Sequence, residues 1–342
     1  MKYTKKWILF SLSSILLTLS LIASINFFMD PFWTFSYEHT FNQYQKSSRE
    51  RQQKSNALYF REKKYDTLIF GSSRTTHMNQ HKWSDTTFNY SASDMKPNEY
   101  NEYLNFALLE AKQPIKKVII GLDFFGSLTY TPIVAKEPRL ILDKIAEPFY
   151  KYKLLFSLDT LTFSMHNFKY TFKKPDGKYT YNYVKTPKIK SQDTLENFNQ
   201  KVNSNALGYK RRYSTKYDSN YIKIITNLVN SHPNIKFIVY TSPVSEAHFR
   251  ILQNQNLYEE YERWLEESVY VFKEINHYMY INDLAKNANL YFMDSHHGYA
   301  TTYDCIIDDF LNQESNCPKV NMALTTENIK VNLNRLKKLN AQ

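Results

Sequence analysis

Two short segments at opposite ends of this 342-residue chain hold the residue types that acyl chemistry requires. Gly71-Ser72-Ser73-Arg74 follows the apolar run Tyr65–Phe70, and Asp294-Ser295-His296-His297 follows Tyr291-Phe292-Met293. A serine just beyond a strand can present its hydroxyl outward while its own N–H points at a developing oxyanion. It becomes a nucleophile only beside a base, and the base is best an imidazole oriented by a carboxylate. The Asp294-x-x-His297 spacing lets an Asp at the start of a turn reach back to the imidazole that follows it. Ser73, His297 and Asp294 are therefore the candidate nucleophile, base and orienting acid. Ser72 is the alternative nucleophile and His296 the competing base. Taken alone, a G-S-S-R serine is commonly a turn or helix-cap residue, and a lone histidine is commonly a surface one.

Both segments must be carried by elements that end at one edge of a sheet. Two further apolar runs stop at turn residues: Lys117–Ile120 at Gly121, and Ile235–Tyr240 at Thr241-Ser242-Pro243. Continuous runs of this length suit strands buried on both faces. Helical spacing fills the intervals. Tyr103, Phe106 and Ala107 share a turn pattern within Glu99–Lys112, and Ile222, Ile225, Leu228 and Val229 form a stripe in Tyr221–Val229. Leu257–Val271 and Thr326–Leu339 predict further helices, the last with Arg335, Lys337 and Lys338 at its favourable C-terminal end. This alternation predicts an α/β fold whose parallel sheet is covered on both faces. From about residue 147 to 216 the chain is rich in Lys, Tyr and Asn. There Lys174-Pro175-Asp176-Gly177, between Phe168–Phe172 and Tyr179–Val184, predicts a β-hairpin in an insertion or cap, or else a loop-rich part of the same domain.

Composition excludes a disordered chain: 42% of residues are hydrophobic, 16% are aromatic and only 6 are Gly. Trp7–Phe28 carries no charge, which is long enough as a helix to cross a membrane. Lys2, Lys5 and Lys6 precede it and Asp30 follows, so the positive-inside rule predicts a cytoplasmic tail at 1–6 and an anchor at 7–28. A membrane-proximal connector at 29–58 and an extracytoplasmic domain at 59–342 follow. A cleaved signal peptide is the alternative, but the run is long and lacks a clean A-x-A site. Lys46–Lys54 reads as a solvated face. Cys305 and Cys317, twelve apart on the oxidising side, predict a disulfide rather than a reactive thiol.

The motifs as a set resemble the SGNH (GDSL-like) hydrolase and acyltransferase family. Gly71-Ser72-Ser73 is similar to its first block and Asp294-x-x-His297 to its last, while Phe88-Asn89-Tyr90-Ser91 and Gly121-Leu122-Asp123-Phe124 stand where the second and third are expected. The resemblance covers roughly residues 66–311 and is strongest to a membrane-anchored branch that includes teichoic-acid D-alanylation and polysaccharide O-acetylation proteins. It implies a flavodoxin-like three-layer α/β/α domain behind one transmembrane helix in a bacterial-type cytoplasmic membrane. It also implies an oxyanion hole built from the Ser73 N–H and a second-block N–H at Ser91 or Ser93. One departure stands out: the family's third block supplies an Asn, and here the residue is Asp123. A carboxylate has acceptors only and would repel an oxyanion. Asp123 is expected instead to pair with Arg74 and, with Gly71, to support the nucleophile turn.

Partners and cofactors follow. The +11 net charge suits an anionic polymer or lipid headgroups, and with the domain expected outside the cytoplasm no nucleic-acid partner is expected. The resemblance implies a cell-surface glycopolymer as substrate and a membrane-embedded acyl exporter as partner. No nucleotide or cofactor motif is present, and only Asp294 accompanies the His296-His297 pair at ligand spacing, so neither cofactor nor metal is expected. His77 and His81, one helical turn apart after the nucleophile, read as helix-face residues. The alternative function is an inert SGNH-like scaffold or glycan-binding subunit of an envelope assembly, which the Asp123 departure favours.

Overall fold

The structure, a computed structural model, describes residues 2–35, 37–47, 49–130, 137–173, 179–180 and 195–341. In chain order the principal elements are helices α1 (Lys2–Met29) and α2 (Glu50–Phe60), strands β1 (Thr67–Phe70) and β2 (Thr87–Asn89), α3 (Pro97–Glu110) and β3 (Lys117–Leu122). Next come α4 (Leu158–Phe172), α5 (Leu195–Tyr213), α6 (Tyr221–Ser231), β4 (Lys236–Thr241), α7 (Glu246–Asn254) and α8 (Tyr258–Phe272). The last are β5 (Glu274–His277), α9 (Ala300–Phe310), β6 (Met322–Thr325) and α10 (Ile329–Ala341). The chain divides into two compact units, Met1–Lys63 with Arg139–Thr186, and Lys64–Pro138 with Pro187–Gln342.

The second unit is a mixed α/β body. Its sheet runs in the order β2-β1-β3-β4-β5-β6, parallel throughout except for β6, which lies antiparallel to β5. The apolar runs became these strands because they are buried on both faces: every residue of β1 is buried, and so is β3 from Val118 onward. Helices surround the sheet with their apolar stripes inward, as Tyr221, Ile225 and Leu228 of α6 and Ile329, Leu333 and Leu336 of α10 illustrate. Gly71 and Gly121 lie on either side of Thr75, and a Cβ on either would collide with its side chain. That crowding draws the turn after β1 against β3. The Cys305–Cys317 disulfide is formed, with Cα atoms 5.6 Å apart.

The first unit begins with α1, whose Thr4–Met29 stretch is long and apolar enough to span a membrane. Its end is built into the unit: Asn26 Nδ2 donates to the carbonyls of Leu155 and Ser157, and Asp30 accepts from Thr34 N and Arg61 Nη2. Lys46–Lys54, expected to be solvated, is partly interior instead, with Glu50, Arg51, Gln53 and Lys54 of α2 buried. The reason is partners at long range. Tyr179 OH donates to Glu50, its ring lies under the Lys54 ammonium, and Gln53 donates to the Pro31 carbonyl. The expected hairpin is corrected on its first arm: Phe168–Phe172 ends helix α4, which Ser157 caps by accepting from Thr160 N. Residues 174–178 and 181–184 of that hairpin lie outside the described residues. Tyr179–Thr180 pairs antiparallel with Tyr44–Gln45.

Candidate active site

The turn carrying Ser73, the candidate nucleophile, follows directly from β1. Thr76 N donates to Ser72 O, and Thr76 Oγ1 donates to Ser73 O, closing a tight loop at the strand end. Ser72 is buried and its Oγ accepts from Arg74 N, so it faces inward. Ser73 is the serine that lines the cleft. Asn89 at the end of β2 fastens this turn from beside it, donating to the carbonyls of Thr75 and Met78.

Ser73 Oγ lies 2.9 Å from His297 Nε2, and His297 Nδ1 lies 2.8 Å from Asp294 Oδ2. An ionised carboxylate only accepts, so Nδ1 carries the proton and Nε2 is left to accept from the serine. The other carboxylate oxygen, Asp294 Oδ1, accepts from the N–H groups of both His296 and His297 at 2.9 Å. Burial alone would raise the Asp294 pKa, but hydrogen bonding and charge from His297, with those two N–H donors, hold it down to about 2. Phe292 and Gly298 bridge across the loop, and Met293 N donates to His297 O, so the Asp-x-x-His segment is a closed turn.

His296 also lines the cleft, with Nδ1 3.3 Å from Asp294 Oδ1, but its other partners differ from those of His297. Its Nδ1 meets Ser295 Oγ at 3.0 Å and its ring packs on Tyr209 and His248. Burial first, then the charges of His297 and Arg74, push its pKa well down, which leaves it neutral. The ligand atoms of Asp294, His296 and His297 lie within 4.8 Å of one another. A divalent ion there would have to displace the proton shared by Asp294 and His297.

Arg74 and Asp123 meet as a buried ion pair at 2.8 Å, with side chains 1% and 3% exposed. Burial, the largest single influence, opposes the Arg74 charge, but Asp123 together with Tyr209, Tyr213 and Tyr303 raises the pKa overall. Arg74 Nη2 also approaches His248 Nε2 at 3.4 Å, and Tyr213 OH lies 2.9 Å from the same nitrogen. His248 in turn lies 3.4 Å from Ser295 Oγ, while Ser245, which caps α7, donates to Ser295 O. A buried polar chain thus links Arg74, the residue after Ser73, to the loop holding Asp294 and His297. Asn89 lies in the Phe88–Ser91 segment already singled out, but its role in fastening the turn was not; nothing local marked His248, because a lone His carries no spacing signal for partners as distant in sequence as Arg74 and Ser295.

Of the expected oxyanion donors, Ser91 is corrected: it is buried, and both its N–H and its Oγ donate to Asn89 Oδ1. Ser93 lines the cleft with Ser73. His77 places its ring 6.4 Å from that of His297, whereas His81 pairs loosely with exposed Asp85. The cleft, of about 420 Å³, has α5 as one wall. There Arg212 pairs with Asp94 at 3.1 Å and lies over the Tyr209 and Tyr130 rings. The cleft therefore offers a hydroxyl with an aligned base, an anchored cation and an open mouth. No family model matches the chain, and no curated protein matches it.

Proposed function

We propose that the chain is a membrane-anchored serine acyltransferase or esterase of SGNH type that acts on a cell-envelope glycopolymer. The observation that carries this reading is the continuous contact from Ser73 Oγ through His297 to Asp294, at 2.9 and 2.8 Å, within an open cleft. In this mechanism Ser73 Oγ attacks an acyl carbonyl and gives its proton to His297 Nε2. Collapse of the tetrahedral intermediate returns that proton to the departing alcohol and leaves acyl-Ser73. An acceptor hydroxyl on the polymer, or water, then attacks the acyl-enzyme and passes its proton to His297, which returns it to Ser73 Oγ as the acyl bond to serine breaks and the ester or acid product leaves. Asp294 holds the imidazole and stabilises its charged form.

Two features support the family reading. Counted along the parallel strands alone, the order is 2-1-3-4-5, the flavodoxin-like arrangement, with Ser73 beyond the carboxyl end of the first strand. The second is the N-terminal helix, long and apolar enough to span a membrane, as in the anchored branch. Asp123 favours a second reading, an inert scaffold, because a carboxylate committed to Arg74 leaves the third-block donor missing. Losing one such donor lowers rates by about 10²–10³, which fits slow transfer better than fast hydrolysis. Labelling the full-length protein with a fluorophosphonate separates the readings: the wild type should label and Ser73→Ala should not. Equal labelling of both, or of neither, rejects Ser73 as nucleophile.

A further inference from the structure

We propose that the first unit carries a lipid-facing surface of its own, so that the chain meets the membrane through folded protein as well as through α1. The proposal rests on reading α1 as a membrane span.

Helix α4 is turned inside out. Its buried positions are polar: Thr160, Ser164 and Asn167. Its apolar residues Leu158, Leu161, Met165, Phe168 and Phe172 recur at spacings of 3, 4, 3 and 4 residues, which places them on one helical face. That face points outward, with Leu158 66% and Phe172 70% exposed. A helix in water buries its apolar stripe; this arrangement is stable where the medium outside is itself apolar.

The place of α4 says which medium that is. Ser164 Oγ donates to Asn26 Oδ1, in the last turns of the membrane-spanning helix. Aromatic rings continue the connection: Phe28 of α1 lies 5.9 Å from Phe41, Phe41 lies 6.0 Å from Phe168, and Phe168 lies 5.4 Å from Phe172. On another side Phe27 packs on Phe35 at 4.6 Å, and the Lys151 ammonium lies 4.4 Å above that ring. Nearby in sequence, Phe149 and Tyr152 are exposed. Since α1 leaves the hydrocarbon near Met29, rings in contact with Phe27 and Phe28 lie at the level of the bilayer interface. Tyr152 and the lysines are of types that favour that level, and exposed Phe rings suit its apolar side. Lys169 and Lys173, exposed beside the stripe, suit anionic headgroups.

Photo-crosslinking of the full chain in phosphatidylethanolamine/phosphatidylglycerol vesicles tests this. p-Benzoylphenylalanine replaces Phe149, Phe172, Leu16 or Val331, all exposed, and lipid adducts are measured by mass. Yields at Phe149 and Phe172 within about threefold of Leu16, and more than about tenfold above Val331, are expected for interfacial burial. Adducts at Leu16 with background yield at Phe149 and Phe172 overturn the proposal and leave the anchor intact. Background yield at Leu16 overturns the anchor reading itself. Crosslinks from Phe149 or Phe172 to a second protein chain assign the surface to a protein partner and also overturn the proposal.

Discussion

Replacing Asp123 by Asn separates two accounts of the site, because it would install the residue type that the SGNH resemblance expects in the oxyanion hole. Here Asp123 lies 2.8 Å from Arg74 with both side chains almost wholly buried, and its Oδ2 makes no hydrogen bond among the described residues. At about 4 Å between charge centres and an effective dielectric of about 20, the attraction is about 4 kcal/mol. Removing one partner of such a pair costs about 3–5 kcal/mol, because the remaining charge stays buried. Asn keeps an acceptor for Arg74 Nη1, so the lower end, about 3 kcal/mol, is expected. At about 2–4 °C per kcal/mol, the melting temperature of Asp123→Asn should fall by about 6–12 °C. Fluorophosphonate labelling should not accelerate, because the side chain is held by Arg74 and not by the acyl oxygen. The double variant Arg74→Met/Asp123→Leu, with no buried charge, should recover much of the lost stability. An unchanged melting temperature with labelling faster by about 10² would refute the counter-ion account and make position 123 an oxyanion donor.

Asp294→Asn should slow labelling by about 10³–10⁴ by losing the His297 tautomer and orientation. Wild-type Asp294 also contributes stability that is present above its ordinary value of 3.8 and lost as pH falls through about 2; acid melts of the Asn variant should lack it. His277 is enclosed by Thr241 Oγ1 and Tyr261 OH, and burial pushes its pKa down to about 3. The unfolded ring takes up a proton below about pH 6.5 and the folded one does not, so stability present above that pH drains away toward pH 3. His277→Gln should reduce this acid slope, in denaturant titrations between those values, by up to about one proton. Reducing Cys305–Cys317, or replacing both with Ser, should cost about 3 kcal/mol of stability, checked by melts with and without dithiothreitol.

The amino-acid sequence alone determined what depends on neighbours in the chain. An uncharged apolar run specifies a membrane-length helix, and continuous apolar runs ending at Gly71 and Gly121 specify interior strands. The Asp294-x-x-His297 turn closes on itself, so its hydrogen bond was legible from spacing. The Arg74–Asp123 pair could be anticipated because a carboxylate, with acceptors only, cannot serve an oxyanion and instead suits a nearby cation. Only the tertiary structure decided between neighbours of the same type. Ser73 faces the cleft while Ser72 turns inward, and His297 meets the serine while His296 packs on Tyr209, because one residue of rotation reverses a side chain and packing sets that rotation. It also decided the parts held by distant partners: Asn89 under the nucleophile turn, His248 between Arg74 and Ser295, and the charged start of α2 drawn into the first unit. These depend on which surfaces meet after chain segments far apart in sequence converge, and no local pattern of residues encodes that meeting.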